Sequence, residues 1–142
     1  MFEAGSMLYE LGREDMGLAL FMFLQNGLGI AVYEACCDDE QKARWLPDLI
    51  QLKKIACFGL TEPEHGSDAT GMTTSVKKVE GGYILNGRKR WPGNGALADL
   101  TVVWAKNESD GNKIQGFVVE KGMKGHSATS IPNKVAARMV AK

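Results

Sequence analysis

Thr73-Thr74-Ser75-Val76-Lys77-Lys78-Val79-Glu80-Gly81-Gly82-Tyr83-Ile84-Leu85 decides the reading of this chain. Thr73 to Val79 alternates, Glu80-Gly81-Gly82 turns, and Tyr83 to Leu85 returns, which is a β-hairpin pattern. Upstream, Ile55 to Leu60 is a short apolar strand. Downstream, Leu100 to Ala105 and Ile114 to Val119 pair across the polar turn Asn107 to Lys113. Strands at short intervals with no helix between them predict an antiparallel barrel or sandwich.

The N-terminal part has a different period. Phe2, Met7, Leu8 and Leu11 form a helical stripe, and Asp15 is an N-cap for the next helix. Met16 to Tyr33 is almost wholly apolar and reaches about 18 residues, the length at which a membrane span is considered. Gln25 and Asn26 sit at its centre, and no basic residue flanks its C-terminal end. Both features favour a helix buried all round within a larger helical assembly over a transmembrane segment. Asp38 or Asp39 caps a further helix, which Pro47 is expected to kink or shorten. The fold class is therefore α+β. A helical part over residues 1–53 is expected to precede a β domain over 54–142.

Of 142 residues, 44% are hydrophobic and 24% charged, with 17 Lys and Arg against 17 Asp and Glu. This balance gives no electrostatic footprint for nucleic acid and no polybasic membrane anchor. Cys36, Cys37 and Cys57 have no C-x-x-C spacing and read as small hydrophobes in a reducing compartment, not as metal ligands. Met1-Phe2-Glu3 has an acid where a signal peptide needs basic residues. A soluble intracellular protein is expected.

Two segments carry unusual chemistry. Thr61-Glu62-Pro63-Glu64-His65-Gly66-Ser67-Asp68 is a loop dense in hydrogen-bonding groups. By itself it describes a turn with capping side chains. Arg88-Lys89-Arg90-Trp91-Pro92-Gly93-Asn94-Gly95 carries three consecutive basic residues, an aromatic, then strand breakers. By itself it describes a strand end with its basic residues in solvent and Trp91 in the core.

Their order changes the reading. Leu60 to Asp68 gives L-T-E-P-x-x-G-S-D, Asn86 to Trp91 gives N-G-x-K-x-W, and Ala98-Asp99 follows. Asp39-Glu40-Gln41-Lys42 to Leu46-Pro47, Gly116 to Lys121, and Gly125 extend the agreement over nearly the whole chain. The ordered set resembles the acyl-CoA dehydrogenase family, which includes the acyl-CoA oxidases. It is nearest to glutaryl-CoA dehydrogenases and plant-type short-chain acyl-CoA oxidases.

The resemblance implies a middle β domain between two helical domains, with FAD across the junction and an acyl-CoA as substrate. It implies a homo-oligomer, tetramer or dimer, for the full-length form. Cofactor contacts fall on Phe58, Gly59, Leu60, Thr61, Gly66, Ser67, Trp91, Pro92 and Gly93. Thr61 would hydrogen-bond the pyrimidine side of the flavin, Ser67 would also touch substrate, and Trp91 would cover a ring face. Two departures stand out. Gly93 lacks the hydroxyl that many members direct at the flavin N5, and Pro92 removes a backbone donor. No catalytic residue is assigned, because the resemblance puts the α-proton base in a C-terminal helical domain beyond Arg138-Met139-Val140. Glu62, Glu64 and His65 are not placed as that base. The alternative is a truncated, non-catalytic binding or assembly module.

Overall fold

The computed structural model describes residues 2–135. The stretch at Arg138-Met139-Val140 lies outside them. Helices come first: α1 (Phe2–Glu14), α2 (Met16–Phe23), a π-helical segment (Leu24–Ile30), α3 (Ala31–Cys36) and α4 (Asp39–Ile50). The strands follow: β1 (Ala56–Gly59), β2 (Ser75–Val79), β3 (Gly82–Asn86), β4 (Leu100–Asn107) and β5 (Lys113–Glu120).

The caps work as their residue types dictate. Asp15 Oδ1 accepts from the Gly17 and Leu18 amides at 2.6 and 3.1 Å. Asp38 and Gln41 form a reciprocal capping box at the start of α4. Pro47 neither ends nor shortens α4, which runs on to Ile50. Ala43 and Pro47 are both exposed, so the carbonyl freed by the missing proline N–H is left to water and the break is not forced.

The apolar run is a continuous helical stretch, Met16–Cys36, long and apolar enough to cross a membrane at a mean hydropathy of 1.5. Its middle is tied into the fold by Gln25, which is 0% exposed. Gln25 Nε2 donates to the Leu49 and Lys54 carbonyls at 3.1 and 3.2 Å, and Oε1 accepts from the Ala56 amide at 2.9 Å. The π-helical widening occurs where this side chain leaves the helix for the sheet, the kind of site where such bulges occur. Further along the same segment, Gly29 lies so close to β1 that a Cβ there would stand 2.7 Å from Ala56 Cβ. The expected burial on all sides is not reached within the described residues. Met16, Leu18, Phe23 and Leu28 are exposed, because the sheet covers one side of this run only.

The sheet is five-stranded and mixed. The two predicted hairpins form as antiparallel pairs, β2 with β3 (Val76 opposite Leu85) and β4 with β5 (Leu100 opposite Glu120). The expectation of purely antiparallel pairing is corrected by β1 and β2, which both run parallel to β4. β1 lies along Leu100 to Val103 and β2 touches only Lys106 and Asn107. Hairpin turns impose antiparallel neighbours, but long loops such as those after β1 and β3 free the next strand to return in the same direction. Tyr33, Trp45 and Leu49 from the helices pack against Ala56, Leu100 and Val102 from β1 and β4, forming one core between layers. Tyr33 and Trp45 meet edge to face at 5.7 Å. Alternation then turns Cys57, Gly59, Thr101 and Val103 to the other side of the sheet, onto an open groove.

Candidate functional site

β1 ends at Gly59 and delivers the chain into the loop Leu60 to Ser67. The Glu62 amide donates to the His65 carbonyl at 3.0 Å, closing the loop on itself. Asp68 then accepts from the Gly71 amide and caps the 3-10 turn Ala69–Gly71. β3 ends at Asn86, and the following residues run alongside this loop. The Arg90 amide donates to the Thr61 carbonyl at 2.7 Å. That bond joins the two segments whose chemistry stood out in the sequence.

Beneath the junction lies a buried ion pair. Glu62 is 3% exposed. Its Oε2 accepts from the Thr73 amide at 2.7 Å and the Thr73 hydroxyl at 2.8 Å. Its Oε1 accepts from the Thr74 amide and Lys89 Nζ, both at 2.9 Å. Lys89 Nζ also donates to the Leu60 carbonyl at 3.0 Å and approaches Met72 Sδ at 3.9 Å. Burial by itself raises the pKa of Glu62, but hydrogen bonds from Thr74, Thr73 and Lys89 outweigh it and hold the carboxyl well below the usual range. All the lone-pair positions of the carboxylate are thereby engaged.

The expectation that Arg88, Lys89 and Arg90 project to solvent is corrected at its middle member. Arg88 and Arg90 are exposed, whereas the Lys89 side chain is 9% exposed. Lys89 lies beyond the end of β3, so no strand period in the sequence announces its inward turn. Its partner was not readable, because Glu62 is far away in sequence.

Trp91 follows, 62% exposed, with the Arg90 guanidinium 4.6 Å from its ring centroid. The core reading of this indole does not hold. Its φ of 60° is unusual for a bulky side chain, and backbone of this kind gathers at functional sites. Asn94, also left-handed at φ 65°, is buried and donates to the Ala56 carbonyl at 3.4 Å. Between them, Pro92 and Gly93 are half-buried. A Cβ at Gly93 would collide with Leu24 Cδ1 of the π-helical segment. The glycine in place of a hydroxyl residue thus coincides with a leucine packed on it.

The remaining predicted residues separate by environment. Phe58 packs on Trp104 with centroids 5.9 Å apart, on the sheet face that carries the core. Leu60 and Thr61 are half-buried, and Gly66 and Ser67 are exposed. A Cβ added at Gly66 meets nothing within 4 Å, so open space adjoins the loop. The groove on the far sheet face, about 1030 Å³, takes in Gly59, Trp91 and Pro92 but none of the other predicted residues. The Arg90–Thr61 bond draws the Thr61 loop toward Trp91, while Phe58 packs on Trp104 and Gly93 lies against Leu24. Among the described residues no cluster of His, Cys, Asp and Glu could hold a metal.

Residues 57–141 match the family model of the acyl-CoA dehydrogenase middle domain, and residues 1–53 match that of the N-terminal domain. The chain belongs to the acyl-CoA dehydrogenase family. Its members are FAD-dependent dehydrogenases of acyl-CoA thioesters. Over 100 residues it is 43% identical to the mitochondrial isovaleryl-CoA dehydrogenase of Arabidopsis thaliana, covering 69% of this chain and 24% of that protein. A crystal structure of glutaryl-CoA dehydrogenase from Mycobacterium smegmatis superposes with a TM-score of 0.90 at 39% identity, covering 97% of this chain and 35% of that one. A glutaryl-CoA dehydrogenase from the same organism in complex with FADH2 gives 0.87 at 37%, covering 94% and 34%. The chain therefore spans about a quarter to a third of the length of these relatives.

Proposed function

We propose that this acyl-CoA dehydrogenase chain supplies the flavin- and thioester-contacting part of an enzyme that oxidises acyl-CoA to 2-enoyl-CoA. In that reaction the substrate loses its α-proton to a base and its β-hydride to the cofactor. The observation that carries the reading is the Arg90–Thr61 backbone bond, which sets an outward-facing Trp91 beside the Leu60 to Ser67 loop. An aromatic face in the open, half-buried and exposed hydroxyls at Thr61 and Ser67, and space beside Gly66 suit a flat polar ring system.

FAD, when bound, supplies the hydride acceptor. The chain's own residues do the binding and orienting. Trp91 offers a ring face, worth about 0.5–1.5 kcal/mol beyond area burial. Thr61 is assigned to the polar edge of the cofactor, and Ser67 to the cofactor and thioester. Phe58, Gly59, Leu60, Gly66, Pro92 and Gly93 shape the backbone around them.

Glu62 does not serve as the base. Both its oxygens are taken by donors, and its proton affinity is lowered rather than raised toward neutrality. The reading assigns the base to a part of the family's length that this chain does not span. The purified chain should take up FAD with the visible bands of a bound flavin. Butyryl-, glutaryl- and longer acyl-CoAs should bleach those bands anaerobically slower than a full-length relative by about 10²–10⁴-fold, the contribution of a positioned base. A colourless protein that FAD cannot reconstitute would instead support a non-catalytic binding module. Rapid bleaching would require a base among the residues present, with Glu64 and His65 the first to replace.

A further inference from the structure

We infer that the buried Glu62–Lys89 pair is a positioning device for the ligand-bearing loops, setting Thr61 and Trp91 at a fixed separation. The inference rests on the flavin reading above and joins two motif residues, Glu62 and Lys89, that the sequence did not pair.

The geometry is specific. Lys89 Nζ bridges the first residue of the loop, through the Leu60 carbonyl, to Glu62 inside it. Glu62 in turn holds the Thr73 and Thr74 amides at the entry to β2. Arg90, next to Lys89, is the donor that grips Thr61, and Trp91 follows it directly. Three separate stretches of chain therefore meet on one carboxylate and one ammonium, whose side chains are 2% and 9% exposed. Neither charge can be replaced singly without leaving the other buried and unpaired. Gln at 62 keeps the shape but turns an amide N–H toward groups that are themselves donors. Asp keeps the charge but is one methylene short.

A role confined to general stability predicts that variants lose melting temperature and nothing else. A positioning role predicts a loss that persists where the protein is still folded. The experiment compares the chain with Glu62→Gln, Glu62→Asp, Lys89→Met and, as a remote control, Glu10→Gln in an exposed helical pair. FAD is titrated at a temperature where far-UV circular dichroism shows the variant folded, and the visible circular dichroism of bound flavin is recorded. Hydrogen exchange at the Arg90 amide is followed without FAD.

Expected are at least a tenfold weaker FAD affinity and an altered visible spectrum in Glu62→Gln and Lys89→Met. Partial recovery is expected in Glu62→Asp, and no change in Glu10→Gln. Arg90 amide exchange should quicken in step, and this readout alone decides the matter if Glu62→Gln and Lys89→Met fold too poorly to titrate and only Glu62→Asp is available. Unchanged affinity and spectrum in a folded Glu62→Gln would overturn the inference while leaving the flavin reading intact. Failure of the unaltered chain to bind FAD would overturn both.

Discussion

Two seams hold this molecule together, and each is built on one buried polar side chain. Gln25 joins the helical layer to the sheet through neutral hydrogen bonds to Leu49, Lys54 and Ala56. Glu62 joins loop to loop through charge-assisted ones from Thr73, Thr74 and Lys89. Neutral bonds contribute about 0.5–1.5 kcal/mol each and do not depend on pH. Ionic ones are roughly twice as strong, fail badly when one partner is removed, and respond to protonation. The helix–sheet seam needs only adhesion between layers that also share an apolar core. The loop–loop seam joins three stretches of chain through one ion pair, beside the buried Met72.

The comparison can be broken most directly at Lys89. Lys89→Met leaves Glu62 buried without its cation and should destabilise by about 3–5 kcal/mol, read as a lower urea midpoint. An effect under 1 kcal/mol would place the pair in solvent. Gln25→Leu is the matching test of the other seam. It orphans chiefly the Ala56 amide, since the Leu49 carbonyl also accepts from Leu52 at 3.2 Å and Lys54 is half-buried. The expected cost is about 1–3 kcal/mol, with FAD affinity unaffected in the folded protein.

Acid separates the seams without mutation. The folded carboxyl of Glu62 lies below the ordinary 4.5, so its contribution is complete above that pH and is lost as the pH falls further, toward the folded value. Urea midpoints measured from pH 7 down to 3 should fall below about pH 4.5. Gln25→Leu should fall in parallel with the unaltered chain, and Glu62→Gln should be flatter. Smallest in stability is Trp91→Ala. An exposed indole should change the melting free energy by no more than about 0.5 kcal/mol while weakening FAD binding roughly 2- to 12-fold. Equal affinity with a large loss of stability would return Trp91 to a structural role.

Local chemistry was legible wherever neighbours in sequence decide the outcome. The Glu80-Gly81-Gly82 turn, the Asp15 and Asp38 caps and the β4–β5 hairpin depend on residues a few positions apart, and the structure has all of them. Pro47 does not shorten α4, because whether a proline ends a helix depends on whether the freed carbonyl faces water, which is a tertiary fact. The parallel pairing of β1 and β2 with β4 was hidden for the same reason, as long loops leave strand direction open.

The site divides along the same line. The sequence by itself determined the family, the two segments of unusual chemistry and the order in which they occur, because those are carried by residue types at fixed spacings. Only the tertiary structure decided that Lys89 turns inward, that Glu62 is its partner, that Trp91 stands in the open and that Leu24 packs on Gly93. Each of these joins residues far apart in the chain. Their energy comes from desolvation and close contact, quantities that exist only once the layers have met.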